Sequence, residues 1–151
     1  MSLRIRKTMT DGGRRRRGGA AVLEMFFVMF LLLVLSFGMV EFGHFFYVKH
    51  NLQAAAREGA RAGIVPSATN QNVIDAVTAS MQLAGLVPAN YTVQITNTAT
   101  PPSPINVATA SPGTSVKVTV TCTWGTVGVR PMAIMPANKN VVGATVMRKE
   151  G

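Results

Sequence analysis

Glu24 is the residue most at odds with its surroundings, standing between Leu23 and Met25 in a stretch that is otherwise apolar. A carboxylate in hydrocarbon is expensive, so an ionisable group inside a membrane segment is by default a functional candidate. Two readings are open. Either Glu24 lies near the headgroups and reaches water or the Arg14–Arg17 cluster, or a positive charge compensates it within the membrane. The rest of the chain offers little for chemistry. His44 and His50 have no Cys or Ser nearby arranged for nucleophilic work, and beyond Glu58 the only acids are Asp75 and Glu150. One cysteine and two histidines are too few soft ligands for a structural zinc site. Cys122 reads as a small core hydrophobe, with an intermolecular disulfide as the alternative. Trp124 reads as core or as a sheet-edge anchor. We therefore expect no catalytic, cofactor or metal site and no small-molecule substrate.

Charge and hydrophobicity lie in different places. Of 151 residues, 48% are hydrophobic and 14% charged, and the formal net charge is +9. Residues 1–19 carry seven basic groups against Asp11, 7 − 1 = +6, whereas residues 20–151 carry 8 − 5 = +3. The basic tail could hold phosphate, but it abuts an apolar run, which favours a membrane over nucleic acid as partner. From Met25 to Val40 no residue is charged, and Ala20–Leu23 extend the run to about 20 positions, the length that crosses a hydrocarbon layer of ~30 Å. A core helix would place polar residues every third or fourth position; this one is apolar all round. The basic residues precede the span and Glu41 follows it, so the N-terminus is expected in the cytoplasm and the C-terminal part across the membrane. The run is longer than the apolar region of a cleaved secretory signal, and no small-x-small site closes it.

The elements around these residues follow from period and punctuation. No proline occurs between Ala20 and Val65, so one helix is expected over about 20–63, stopped by Pro66 and roughly 65 Å long. Phe42, Phe45, Phe46 and Tyr47 fall near the outer interface, where aromatic rings are favoured; packing against the outer domain is the other reading. Ala55, Gly59 and Gly63 mark a small-residue line that admits close helix packing, either on another subunit or on the chain's own sheet. Arg57, Glu58 and Arg61 read as a solvated face with a Glu58–Arg61 pair. Val73, Ile74, Val77, Met81 and Ala84 are spaced for a second helix, with Thr69 as N-cap and Gly85 as its stop. Tyr91, Val93 and Ile95 alternate with polar residues, as do Val116, Val118, Val120, Cys122 and Trp124, and Val142, Ala144 and Val146 suggest a last strand. The Pro-rich loop Thr98–Gly113 is expected to be exposed. The fold class is thus α+β: a long N-terminal transmembrane helix continuing into a small domain with a second helix and a short antiparallel sheet. The expected divisions are a basic leader 1–19, a helix 20–63 and a domain 64–151.

The leader end, Gly18-Gly19-Ala20-Ala21-Val22-Leu23-Glu24-Met25 behind four arginines, resembles the prepilin-peptidase site of type IV pilin-like proteins. Further on, Val40-Glu41-Phe42-Gly43-His44-Phe45-Phe46-Tyr47-Val48 and Asn51-Leu52-Gln53-Ala54-Ala55-Ala56-Arg57-Glu58-Gly59-Ala60-Arg61-Ala62 look like the TadE-like family. The resemblance covers about residues 18–63 and implies a pseudopilin-like component of tight-adherence (Flp) pilus assembly in a bacterial inner membrane. It also implies cleavage between Gly19 and Ala20 by a prepilin peptidase, and pairing of Glu24 with the new amine of a neighbouring subunit. The implied partners are the membrane, that peptidase, other pilin-like subunits and the Tad secretion machinery. Many members carry a proline early in the apolar segment; Val28, Met29 and Phe30 stand there in this chain, which implies a straighter helix. The alternative is an uncleaved single-pass anchor presenting a scaffold or binding domain.

Overall fold

A computed structural model describes the backbone of residues 14–150 and the side chains of residues 19–150. The leader residues 1–13 lie outside the described residues, as do the side chains of the Arg14–Arg17 cluster. In chain order come α1 (Arg14–Gly63), α2 (Asn70–Leu83), a single 3-10 turn Pro88–Asn90, β1 (Tyr91–Thr96), β2 (Ser115–Thr123), α3 (Trp124–Val127) and β3 (Asn140–Arg148). The architecture is α+β, with a long apolar helix, a second helix and a three-stranded antiparallel sheet in the order β1-β2-β3. The chain divides into two compact units between Phe37 and Gly38, inside α1.

In the first unit, large apolar side chains such as Phe26, Phe27, Leu31 and Leu35 are exposed, and Gly19–Gly63 is long and apolar enough to cross a membrane. The hydroxyl of Ser36 donates to the Leu32 carbonyl at 2.7 Å, so this polar group is satisfied within its own helix. Helix α1 begins at Arg14, upstream of the expected start near residue 20. The Gly19–Ala20 bond therefore lies inside the helix.

The second unit is built on the later half of α1. Val48, Leu52, Ala55, Ala56 and Ala60 are buried on one face, while Lys49, His50, Arg57, Glu58 and Arg61 are exposed. Exposed Glu58 and Arg61 meet at 4.0 Å, a pair worth only about 0.3–0.5 kcal/mol. Thr69 caps α2: Asn72 N–H donates to its hydroxyl at 3.3 Å, and its own N–H donates to the Asn72 side chain at 2.8 Å. At the other end Gly85 adopts φ +72°, with Gly85 N–H on Gln82 O and Leu86 N–H on Met81 O, the paired bonds of a Schellman stop. From α2, Val73, Val77 and Met81 join Val116, Val118, Val120 and Cys122 of β2 in the core, each fully buried aliphatic side chain contributing about 1.5–3 kcal/mol.

Three further sequence expectations change. Trp124 is not the last residue of β2 but the first of α3, because the strand ends at Thr123 and the Trp124 ring turns onto Phe45 and His44. Strand β3 forms, but the residues whose apolarity marked it face outward: Val142 and Val146 are exposed, while Val141 and Gly143 are buried. The phase is set by register, Gly143 pairing with Val120 and Val141 with Cys122 on the core face. The loop after β1 is not wholly exposed. Asn70 accepts from Val107 N–H at 2.8 Å and donates to Ile105 O at 3.1 Å, Lys149 Nζ donates to Val107 O, and the Val107 side chain is buried.

Candidate functional site

Gly19, Ala20 and Glu24 lie in the first unit, all three exposed and all on α1. Ala20 and Glu24 are four residues apart and so share one helix face, one turn from each other. Gly18 and Gly19 are the weakest helix formers in this segment, each costing about 1 kcal/mol relative to alanine, so the Gly19–Ala20 bond sits where helix is most easily opened.

In the second unit Glu41, the first residue after the apolar run, organises the start of its share of α1. Its side chain is fully buried, and its carboxylate accepts the backbone N–H of Met135 at 2.9 Å and of Met132 at 3.3 Å. Between those donors Ala133 takes φ 52°, a left-handed conformation uncommon for a residue with a Cβ. That turn aims successive amides at one point and makes an anion-binding concavity. The Met135 N–H does most to hold the Glu41 carboxyl below its ordinary range. Desolvation opposes it, and the N–H groups of Ile134 and Met132 and the charge of Arg130 add to the lowering. An acid placed directly after an apolar run was the available signal for this role. Sequence reasoning used Glu41 only as part of a motif and a charge count.

One turn on, His44 Nε2 lies 2.9 Å from the Val127 carbonyl, and its ring is 5.7 Å from Trp124 and 6.0 Å from Tyr47. Phe45 meets Trp124 edge-on at 5.5 Å. The four aromatic residues expected near an interface thus divide: Phe45 packs inward, whereas Phe42, Phe46 and Tyr47 are exposed. The Tyr47 hydroxyl donates to Ala84 O at 3.3 Å.

The small-residue line is occupied by the chain itself. A Cβ at Gly59 would stand 2.5 Å from Val77 Cγ2 and 3.4 Å from Val118 Cγ1, and one at Gly63 would stand 2.9 Å from Val73 Cγ2; Ala55 is fully buried beside them. Gln53 was missed by sequence reasoning. Its amide donates to Ala144 O at 2.8 Å and accepts from Ala144 N–H at 3.2 Å, so a side chain occupies the open edge of β3 as another strand would. Cys122 is buried and free, and burial raises its thiol pKa.

The geometry defines an α+β chain whose long N-terminal helix is, by length and composition, able to cross a membrane. Residues 19–61 match the family model described as TadE-like protein, a stretch that holds Gly19, Glu24, Glu41, Ala55 and Gly59 and leaves residues 62–151, Gly63 among them, outside the match. No curated protein and no solved structure matches the chain.

Proposed function

We propose that the chain is a minor pilin-like or pseudopilin-like structural component of a Tad (Flp) pilus assembly machinery, not an enzyme. It is anchored by residues 20–40 in a bacterial inner membrane with its N-terminus cytoplasmic. A prepilin peptidase cuts it after Gly19. The observation that carries this reading is the placement of Glu24 one helical turn from Ala20, within a segment that matches the TadE-like family. Cleavage would leave an ammonium at Ala20. An isolated carboxylate or ammonium in lipid is costly, and pairing the two on adjacent subunits offsets much of that cost. The charge pair then favours lateral association of helices over solitary insertion.

The test is co-purification of wild-type and Glu24→Ala chains with pilin-like subunits from the native membrane. Insertion should persist in the variant, which removes a charge from the apolar run, while recovered partner should fall at least several-fold. Equal recovery with both chains removes the pairing role. It leaves the uncleaved anchor with a scaffold domain as the better reading.

A further inference from the structure

The segment Val129–Pro136 is a loop whose sequence, Val-Arg-Pro-Met-Ala-Ile-Met-Pro, carries a single charge. Surface loops are ordinarily polar because they face water. This one exposes Val129 at 48%, Met132 at 38% and Ile134 at 48%, and only Met135 among its large apolar residues turns toward the core. Exposed apolar residues scattered singly need no explanation, but three within six positions on one loop do.

The position of the loop is fixed by two contacts inside the second unit. Its Met132 and Met135 amides are bound by Glu41, which directly follows Val40, the last residue of the apolar run. The Cδ1 of Ile134 reaches within 3.9 Å of where a Cβ on Gly38 would stand, and Gly38 lies within that run. A span that ends at Val40 therefore carries the Ile134 side chain to the depth of its own last turn. Arg130, the loop's single cation, is half-buried and acts electrostatically on Glu41. Exposed Phe42 and Phe46 stand on α1 at the same end of the unit, and amphipathic or aromatic groups are favoured at that boundary.

We propose that loop 129–136 is a second membrane contact: Val129, Met132 and Ile134 insert into the headgroup–acyl boundary of the lipid bilayer. The small domain is thereby seated on the bilayer at two points, the helix and the loop, with Glu41 holding one to the other. The inference rests on reading residues 20–40 as a membrane span and is independent of cleavage at Gly19.

Collision accessibility of a nitroxide label tests it. Full-length Met132→Cys and Ile134→Cys chains are reconstituted in phosphatidylcholine–phosphatidylglycerol vesicles, with Ser67→Cys, an exposed site just past the far end of α1, as the aqueous reference. The unaltered chain, whose only cysteine is buried, sets the labelling background. Circular dichroism confirms that each labelled chain is folded, and Val129→Cys replaces either site that fails. Lipid contact predicts an oxygen-to-nickel-chelate collision ratio several-fold above the Ser67→Cys reference at both loop sites. A ratio equal to the reference places the loop in water and overturns the proposal. Exclusion of both reagents, which means cover by protein, overturns it too.

Discussion

The carboxylate of Glu41 accepts the backbone N–H of Met135 at 2.9 Å across a sequence separation of 94 residues. That contact ties the first helical turn beyond the apolar run to the loop between α3 and β3. It also supports a left-handed alanine, Ala133, whose conformation has no local reason to persist.

Replacing Glu41 should free this loop before it affects the rest of the domain. In Glu41→Gln the neutral amide is a weaker acceptor than a carboxylate, so amide hydrogen exchange at Met132, Ile134 and Met135 should accelerate about tenfold or more, with β2 amides little changed. The acid dependence has a defined sign. Folding lowers the Glu41 pKa from its ordinary 4.5, so its contribution is complete above that pH and is lost as pH falls through the depressed native value. The Tm gap between the wild-type chain and Glu41→Gln should be full at neutral pH and shrink below pH 4.5.

The glycines facing the core should rank by what stands in the way of a methyl group. At Gly143 a Cβ would fall on the backbone of Leu52, which has no rotamer to change, whereas at Gly59 and Gly63 it meets valine methyls at 2.5 Å and 2.9 Å. At Gly59, inside α1, a helix-propensity gain of about 1 kcal/mol partly offsets an overpacking cost of about 1–3 kcal/mol; Gly63, the last residue of α1, meets a milder clash but lacks that gain. Denaturant titration should therefore find Gly59→Ala and Gly63→Ala each destabilised by about 1–2 kcal/mol. Gly143→Ala, which gains no helix propensity, should be the worst of the three.

Gln53 closes the edge of β3 with two hydrogen bonds to one residue, Ala144, and a third to the Thr145 hydroxyl at 3.1 Å. Gln53→Ala should cost about 1–3 kcal/mol, since typical bonds contribute about 0.5–1.5 kcal/mol each and both Ala144 groups lose their partner. Gln53→Glu keeps the acceptor and loses the donor, so its chemical-denaturation midpoint should fall between those of wild type and Gln53→Ala.

What the sequence disclosed and what it withheld divide along physical lines. The long helix, α2 with its Thr69 cap and Gly85 stop, and the alternation of β1 and β2 are local signals, written in period and punctuation. The phase of β3 was misleading because Gly143, carrying no side chain, supplies no hydrophobic mark although it faces the core. Trp124 continued an apolar alternation but left the strand to pack on α1, a tertiary choice. Glu41, Gln53 and Asn70 act on backbone groups far away in the chain, and residue type alone does not say which distant amide a polar side chain will meet. The small-residue line was legible, but its occupant was not. Gly59 and Gly63 admit Val73 and Val77 of the same chain.

The central claim is that the chain matures by loss of its leader, which creates the amine that Glu24 pairs with. Intact-mass measurement of the chain extracted from its native membrane tests this most directly. The account predicts a species that begins at Ala20; a species that still carries the residues before Ala20 would contradict it.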